Sequence, residues 1–243
     1  MCTYNRAHFI QQAVDSVLSQ TFQDWELLIL DDCSTDNTVE VISPYLTDPR
    51  IKHIKNETNL GITKNRNKAL TLATGEYVAV LDSDDYWIDN NKLALQNEFL
   101  DLNKEYVLIG SNNMIIDNQG KRIIKVPHLP YHFLIKKTLL FRNAFCHSSV
   151  LYRKNEIVAL GGYDESLPIW EDYDLWLKVG LKYKFANFYR FTTAYRRHDT
   201  QSNADKIKIS KDTQAIIIEK YKKLYFGYSI AKMLNALRNI IRP

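Results

Sequence analysis

Hydrophobic and polar positions alternate along the first half of the chain with two different periods. An amphipathic helical spacing over residues 8–20 is followed by a short apolar run over 25–30, which is typical of a buried parallel strand. The alternation continues with helices over about 34–45 and 61–73 and with strands over 51–54 and 76–81. Helices that alternate with short apolar strands predict an α/β fold with a parallel sheet.

Acidic residues directly follow two of these predicted strands. Asp31 and Asp32 end the first strand, and a denser group ends the third: Asp82, Asp84 and Asp85. Because ligands of parallel sheets bind at the carboxyl ends of the strands, we expect the five carboxylates to gather along one rim. The second group would also suit a solvated turn that caps the next helix. The presence of two acidic groups on the same predicted rim favours a binding site.

The second half of the chain is less regular. It predicts two or three strands over 106–126, a strand over 147–153, a loop over 161–165, a helix over 171–182, two short strands over 184–196 and one or two helices over 206–241. No Gly/Ser linker or repeat divides the chain. We therefore expect one domain over residues 1–205 and a helical tail over 206–243.

The chain begins at the end of a predicted strand. Only Met1 and Cys2 precede Thr3, Tyr4 and Asn5, which lead directly into a helix. A doubly wound sheet normally starts with a full apolar strand, so we expect the first strand to be truncated. A chain extended upstream by about six to eight residues, a typical strand length, should then be more stable.

Composition and charge narrow the classes of function. The 243 residues are 45% apolar and 25% charged, as in ordinary globular proteins, and no apolar run is long enough to span a membrane. Residues 206–243 hold nine Lys and Arg against two acidic residues, a net charge of +7. Residues 1–205 therefore carry 23 basic and 26 acidic residues, a net charge of −3. This balance disfavours a nucleic-acid-binding body.

Cysteine and glycine patterns exclude several kinds of site. The three cysteines lie far apart, which excludes a complete disulfide framework and a C-x-x-C zinc site. Reduced thiols in a cytoplasmic protein are the simplest interpretation, and the start of the chain lacks the segments of a signal peptide. Neither G-x-G-x-x-G nor G-x-x-x-x-G-K-[ST] occurs, so a nucleotide would be held without either loop.

Three groups of polar residues are candidates for chemistry. Carboxylates as dense as those of residues 82–85 repel one another unless a cation lies between them, and Mg²⁺ or Mn²⁺ suits such ligands. Glu171 and Asp172 open a predicted helix, where they could compensate the helix dipole or supply a general base. His198 could ligate a metal, bind a phosphate, or be an ordinary structural histidine.

Nine short motifs follow one another along the chain. They are Thr3-Tyr-Asn-Arg6, Ser16-Val-Leu-Ser-Gln-Thr-Phe22, Asp31-Asp-Cys-Ser-Thr-Asp-Asn-Thr38, Asn59-Leu-Gly-Ile62, Arg66-Asn67, Ala73-Thr-Gly-Glu-Tyr77, Leu81-Asp-Ser-Asp-Asp-Tyr86, Gly161-Gly-Tyr-Asp164 and Glu171-Asp-Tyr-Asp-Leu-Trp176. In this order they resemble family-2 glycosyltransferases over about residues 1–200. The resemblance implies the GT-A fold, a Rossmann-like mixed sheet flanked by helices, with a nucleotide-sugar half over about 1–105 and an acceptor half over about 106–205.

The resemblance also assigns nucleotide-binding residues. Thr3, Tyr4 and Asp32 match positions that hold the uracil base in relatives that use UDP-sugars, and Asp31 lies beside them. By this resemblance Tyr4 would stack on the base and the Asp32 carboxylate would accept its N–H. Arg66 matches an arginine near the nucleotide.

The acidic motifs receive metal-binding and catalytic roles from the same resemblance. Asp82 and Asp84 are the two acids of the D-x-D motif, in which Asp82 would contact the ribose or the ion and Asp84 would bind the metal. His198 lies near a further metal or diphosphate contact of some members. Asp172 matches the catalytic base, with Glu171 next to it.

These correspondences imply a metal-dependent, inverting enzyme that uses Mn²⁺ or Mg²⁺. It would move one sugar from a UDP-sugar to a glycan or lipid-linked acceptor, in bacterial surface polysaccharide or lipid-linked glycan biosynthesis. The Q-x-x-R-W motif of polymerising members is absent, which favours single addition. One alternative is a nucleotide-sugar or glycan-binding module, weak or inactive because its first strand is missing. Another is a membrane-tethered scaffold, which would leave the acidic rim without a role.

The tail has two interpretations. Five apolar residues share one helical face: Ile230, Met233, Leu234, Leu237 and Ile241. This face could pack on the domain or lie in the plane of an anionic membrane. The second interpretation predicts a cytoplasmic enzyme that is peripheral to the inner face of the plasma membrane.

Overall fold

The computed structural model describes residues 1–199 and 207–241. Its strands are β1 (Cys2–Thr3), β2 (Leu27–Asp31), β3 (Ile51–Lys55), β4 (Tyr77–Ala79), β5 (Tyr86–Trp87), β6 (Tyr106–Ile116), β7 (Arg122–Val126), β8 (Leu151–Arg153) and β9 (Lys184–Arg196). Its α-helices are α1 (Ile10–Leu18), α2 (Thr38–Ile42), α3 (Ile62–Leu72), α4 (Lys92–Leu102), α5 (His132–Thr138), α6 (Lys154–Ala159), α7 (Glu171–Lys182), α8 (Ile207–Tyr221) and α9 (Tyr228–Ile241).

The strands form two sheets. β1, β2 and β3 form a parallel sheet in this order, with Thr3 opposite Asp31 and Leu27 opposite Ile51. The second sheet has the order β4-β8-β6-β9-β5, and β7 pairs with β6. It is mixed, because β6 and β9 are parallel whereas the other pairs are antiparallel. Helices on both sheets complete an α/β architecture, as predicted.

The apolar centre of the first sheet is β2. All five of its residues are buried, and the inward face of α1 packs against them through Ile10, Ala13 and Val17. An apolar run of this length between two parallel neighbours explains why the sequence reads as a buried strand. Asp31 lies at the carboxyl end of this strand, where a ligand of the sheet would bind.

The strand β4 differs from the prediction of a third buried parallel strand. It pairs antiparallel with β8 on one edge, and within the described residues no strand pairs with its other edge. Tyr77, Val78, Ala79 and Val80 are only half-buried although their sequence is apolar. A cavity of about 680 Å³ separates this edge from β1 and β2, and Met1, Leu28, Val78 and Leu81 are among the residues that line it.

Other elements also depart from the sequence pattern for identifiable reasons. The helix predicted over 34–45 ends as α2 at Ile42 and continues as a 3₁₀ turn over Ser43–Thr47, because Pro44 cannot extend an α-helix from within. Residues 184–196 form one long strand, β9, rather than two, and shifts in its register against β6 accommodate the irregularity.

The tail packs on the domain. Ile217, Ile218, Tyr221 and Tyr225 belong to the same hydrophobic core as the inward face of α7. The Tyr225 hydroxyl donates to the Leu177 carbonyl (2.7 Å), and the missing side chain of Gly180 leaves room for this approach. The described helices include none that combines the length and the apolarity required to cross a bilayer.

A buried lysine opens α4. Lys92 is fully buried, its Nζ donates to Gln96 Oε1 (2.8 Å), and it lies 4.2 Å above the Trp87 ring. Burial lowers the pKa of Lys92 to about 7, from an ordinary value of 10.5. Between these two values the unfolded chain binds the proton and the folded chain does not, so the contribution of Lys92 to stability rises with pH.

Replacing this lysine with methionine should therefore change the pH dependence of stability. The unfolding free energy of the wild type should rise by about 2 kcal/mol relative to that of Lys92→Met from pH 7 to pH 9. At pH 7 the unfolded wild type is stabilised by a charged lysine whose proton the folded protein binds less tightly, and this advantage of the unfolded state shrinks as the pH approaches 10.5. Urea unfolding of both proteins at the two pH values measures this. Parallel pH profiles for the two proteins would contradict the assignment.

Candidate active site

Strained backbone marks three loops of the molecule. Among the described residues, three that are not glycine have a left-handed backbone: Asn5 (φ 52°), Cys33 (φ 69°) and Trp170 (φ 64°). They follow β1, follow β2 and precede α7. Non-glycine residues adopt this conformation at a cost, and such residues cluster at functional sites. The Asn5 amide donates to Ser34 Oγ (2.9 Å), which ties the first two loops together.

The acids after β2 order the neighbouring loops. Asp32 Oδ1 accepts the amide of Leu60 (2.8 Å) and Asp32 Oδ2 that of Gly61 (2.9 Å). Asp31 is fully buried and its Oδ1 accepts the Ser34 amide (2.8 Å). These carboxylates therefore hold the backbone at Ser34, Leu60 and Gly61 in place. Their hydrogen bonds in the described structure do not reach the acids of residues 82–85.

The first predicted base-binding residues lie beside these loops. Thr3 is buried in β1 opposite Asp31, and its hydroxyl has no hydrogen-bond partner among the described residues. The next residue, Tyr4, directly follows β1 at the carboxyl edge of the sheet and is 43% exposed. An exposed ring beside an unsatisfied hydroxyl suits a planar ligand with polar edges.

A buried arginine joins two carboxylates of the predicted site. Arg66 Nη2 donates to Asp82 Oδ1 (2.7 Å), and Arg66 Nη1 forms an ion pair with Glu171. Burial alone would raise the pKa of Asp82, but the charges of Arg66 and His147 outweigh it and hold this pKa well below its ordinary value. For Glu171 burial dominates and raises the pKa, against the opposing charge of Arg66.

The second acid of the D-x-D motif has a different environment. Asp84 Oδ2 lies 3.0 Å from His198 Nε2 and 3.4 Å from Arg6 Nε. The structure therefore brings together two of the three residues that the sequence predicts as metal ligands, Asp84 and His198, whereas the third, Asp82, pairs with Arg66. The neighbouring Asp85 is buried and accepts from Ser148 Oγ (2.5 Å) and the Arg196 amide (2.8 Å), and burial raises its pKa. Its partners make it a structural link between the motif and β9.

The two acids that open α7 differ in accessibility. Glu171 is buried against Arg66, whereas Asp172 is partly exposed. Asp172 Oδ2 accepts a hydrogen bond from the Asn143 side-chain amide (3.0 Å). A carboxylate that acts as a general base must reach a substrate hydroxyl, and Asp172 has the accessibility that this requires.

The sequence pattern missed several residues of this site. His147 Nε2 lies 3.0 Å from the Tyr163 hydroxyl, and His147 Nδ1 lies 3.5 Å from Asp82 Oδ2. Asn67 holds the Tyr163 segment by bonds to both its amide (3.0 Å) and its carbonyl (2.9 Å). Asn67 and Tyr163 belong to two of the nine motifs, Arg66-Asn67 and Gly161-Gly-Tyr-Asp164, so the sequence offered a signal for both of them. His147 and Asn143 lie in an irregular segment with no such signal.

No group of three or more metal-ligating side chains occurs within residues 1–199 and 207–241. The closest arrangement is the pair of Asp84 and His198, with Asp82 two residues before Asp84. Mg²⁺ and Mn²⁺ are commonly held by one or two protein ligands together with phosphate oxygens of the substrate. The residues present therefore fit an ion that arrives with a phosphorylated ligand.

Known proteins match this chain in sequence. The sequence model described as Glycosyl transferase family 2 matches residues 1–159. WfaP of Escherichia coli, named as UDP-Glc:alpha-D-GlcNAc-diphosphoundecaprenol beta-1,3-glucosyltransferase, is 34% identical over 216 residues, which cover 86% of this chain and 80% of WfaP.

Solved structures match the fold. The crystal structure of S. aureus TarS in complex with UDP-GlcNAc has a TM-score of 0.75 at 21% identity, covering 97% of this chain and 69% of that chain. Mannosyltransferase PcManGT from Pyrobaculum calidifontis, in complex with GDP-Man and Mn²⁺, has a TM-score of 0.70 at 17% identity, covering 97% and 66%. With the D-x-D acids and Arg66 inside the matched residues 1–159, the chain belongs to glycosyl transferase family 2.

Proposed function

We propose that this protein transfers one sugar from a UDP-sugar to an acceptor hydroxyl with inversion, and that Asp172 is the general base. The observation that carries this proposal is the contrast at the start of α7. Arg66 neutralises the buried Glu171, whereas the partly exposed Asp172 is oriented by Asn143. Of the two neighbouring acids, Asp172 is therefore the one with a carboxylate able to meet a substrate.

The proposed chemistry is a single displacement. Asp172 removes the proton from the acceptor hydroxyl as the oxygen attacks the anomeric carbon from the face opposite the leaving nucleotide. Positive charge develops on the sugar ring in an oxocarbenium-like transition state. Attack from the opposite face inverts the anomeric centre, so this scheme needs no enzyme nucleophile. Glu171 contributes by holding Arg66 in place.

We place the nucleotide at the carboxyl ends of β1 and β2. Tyr4 would stack on the uracil, next to Thr3 and Asp31. A carboxylate offers about four acceptor positions. Asp32 already accepts from the Asn56 side chain and from the amides of Leu60 and Gly61, which leaves about one acceptor position for the uracil N–H. The UDP-sugars in the name of WfaP and in the TarS complex support a uridine donor.

The proposed enzyme depends on Mn²⁺ or Mg²⁺, held by Asp84 and His198 with Asp82 adjacent. When bound, such an ion neutralises charge on the leaving nucleoside diphosphate. The Mn²⁺ in the PcManGT complex supports this assignment. Arg66 and Arg6, which pair with Asp82 and Asp84, place two further cations beside the same carboxylates.

Metal-dependent nucleotide binding tests this arrangement. In calorimetric titrations Mn²⁺ should tighten UDP binding to the wild type by at least about tenfold, because Asp84 and His198 would hold an ion whose charge offsets that of the diphosphate. Asp84→Asn should lose this enhancement, whereas the exposed control Asp24→Asn should keep it. Equal UDP affinity with Mn²⁺ and with EDTA in the wild type would contradict metal dependence.

We propose a lipid-linked or glycan acceptor and a peripheral site of action, supported by the diphosphoundecaprenol in the name of WfaP. In the tail, Ile230, Met233 and Leu237 of α9 are exposed and Lys232 lies among them. Of the other two residues of the predicted apolar face, Leu234 is half-buried and Ile241 has no described side chain. This exposed face supports contact between the tail and an anionic membrane.

The tail proposal is tested best by substitution, because α8 belongs to the core and its deletion would disturb the fold. Ile230→Ser combined with Met233→Ser should reduce co-sedimentation with anionic vesicles by about tenfold, since two apolar side chains leave the lipid boundary. The control Leu102→Ser, at an exposed leucine of α4, should have no effect. Equal binding by both variants would contradict a role of α9.

A further inference from the structure

Apart from the candidate active site, the molecule has a basic surface formed by the segment over residues 118–142. The cations of this surface have no carboxylate partners among the described residues. Residues 118–155 contain no aspartate or glutamate, although acids are frequent elsewhere in the body. The first part of this stretch holds six cations: Lys121, Arg122, Lys125, Lys136, Lys137 and Arg142. None of the six forms a salt bridge within the described residues, whereas other surface cations do, for example Lys52 with Glu26 and Arg190 with Asp89.

Large apolar side chains are exposed between these cations. Ile123 and Ile124 on β7 are each 54% exposed, and near α5 Tyr131 is 54% and Phe133 is 58% exposed. On the neighbouring β9, Tyr189 is 67% exposed. Single apolar residues scattered over a surface are ordinary, but five of them among cations without acidic partners form a distinct surface.

Side-chain contacts join several members of this group, which we call the basic aromatic surface. It comprises the six cations above together with Ile123, Ile124, Tyr131, Phe133, Tyr189 and Phe191. Tyr131 stacks on Phe133 (ring centroids 6.2 Å apart) and meets Tyr189 edge to face (6.5 Å). Lys125 Nζ lies 5.0 Å from the centre of the Phe191 ring, two residues along β9 from Tyr189. Arg142 Nη2 donates to the Pro127 carbonyl (3.3 Å), which folds the end of the segment back onto its middle.

We propose that the basic aromatic surface docks on an anionic phospholipid bilayer. Cations attract the negative charge of such a bilayer, aromatic rings favour the boundary between headgroups and acyl chains, and branched aliphatic side chains enter it. A soluble polyanion would use the cations and leave the isoleucines and Phe133 in water. Charge complementarity and exposed apolar area together therefore favour a lipid surface.

The basic aromatic surface lies next to the segment that orients Asp172, so docking of this surface on a membrane would affect how an acceptor reaches Asp172. Asn143, whose amide holds Asp172, directly follows Arg142. Gly227, in the turn between α8 and α9, approaches the Phe141 ring so closely that a Cβ there would lie 2.8 Å from it. The basic aromatic surface thus adjoins both the tail and the segment that orients Asp172. This last step rests on the proposed function: a membrane-borne acceptor would approach Asp172 from the docked side.

Vesicle binding by the full chain tests the proposal without any assay of transfer. The triple variant Lys121→Gln, Arg122→Gln, Lys125→Gln removes three exposed cations and should weaken partition onto vesicles of 30% phosphatidylglycerol in phosphatidylcholine by at least about tenfold, at roughly 1 kcal/mol per cation near the surface. The matched control Lys52→Gln, Lys64→Gln, Lys104→Gln removes the same charge from exposed positions elsewhere and should change it less than twofold. Phe133→Trp should show quenching by brominated lipids, whereas Leu102→Trp should not.

Three results would overturn the proposal, and each points to a different cause of binding. Equal loss in the two triple variants would show that only net charge matters. Loss confined to the α9 variant, with the first triple variant binding like the wild type, would assign docking to the tail alone. Absence of binding to anionic vesicles, with the fold intact by circular dichroism, would favour a soluble acidic partner. None of these results depends on whether Asp172 is the base.

Discussion

Replacing Asp172 with asparagine is expected to lower kcat for sugar transfer by about 10²- to 10⁴-fold, the usual contribution of a general base. An amide has nearly the shape of the carboxylate but cannot accept the hydroxyl proton at neutral pH. The affinity for UDP should stay within about twofold, because Asp172 lies at the start of α7 and not at the ends of β1 and β2. Steady-state kinetics and calorimetric titration with UDP measure the two quantities.

The control for this variant is Asp24→Asn, which makes the same change at an exposed position. Its kcat should equal that of the wild type. The variant Asn143→Ala should lie between the two, since it removes the hydrogen bond that orients Asp172 but keeps the carboxylate. Near-normal turnover by Asp172→Asn would show that another group accepts the proton.

Replacing Arg66 with methionine is expected to destabilise the fold by about 3–5 kcal/mol, the usual cost of removing one partner from a buried ion pair. Arg66 is largely buried between Asp82 and Glu171, so its loss removes the guanidinium charge that both carboxylates share. The acids would then resist ionisation or draw water into the site. The midpoint of urea unfolding, together with its slope, measures the change.

A second substitution separates charge from packing at this position. Arg66→Met combined with Glu171→Gln removes one of the stranded charges and should recover part of the lost stability. Lys52→Met, at an exposed ion pair on β3, should leave the unfolding midpoint nearly unchanged. Full stability of Arg66→Met would mean that the two carboxylates do not need the arginine.

Local patterns in the sequence predicted much of the fold. The helix over 171–182 is confirmed residue for residue: acids favour its first turn, and apolar residues at helical spacing determine its buried face. The parallel pairing of β2 and β3 follows from short apolar runs separated by helices. The second sheet was harder to predict, because β8 and β9 pair with strands distant in sequence and local periodicity carries no information on partners.

The sequence indicated which residues belong to the candidate site, but not which side chains contact one another there. By resemblance, the sequence assigned Asp84, Asp82 and His198 to one metal site, and in the structure Asp84 Oδ2 lies 3.0 Å from His198 Nε2. It did not predict that Arg66 joins Asp82 to Glu171, because that bridge depends on how α3 packs between two distant segments. The net charge of residues 1–205 did not reveal the basic aromatic surface, because acidic residues elsewhere in this range offset its cations.

The measurement that tests the proposed transfer most directly is nucleotide release from a panel of UDP- and GDP-sugars with Mn²⁺, comparing the wild type with Asp172→Asn. We expect UDP release from at least one UDP-sugar in the presence of an acceptor, and its near-complete loss in the variant. Binding of UDP without turnover of any donor by the wild type would contradict the proposed transfer and favour a nucleotide-sugar-binding module.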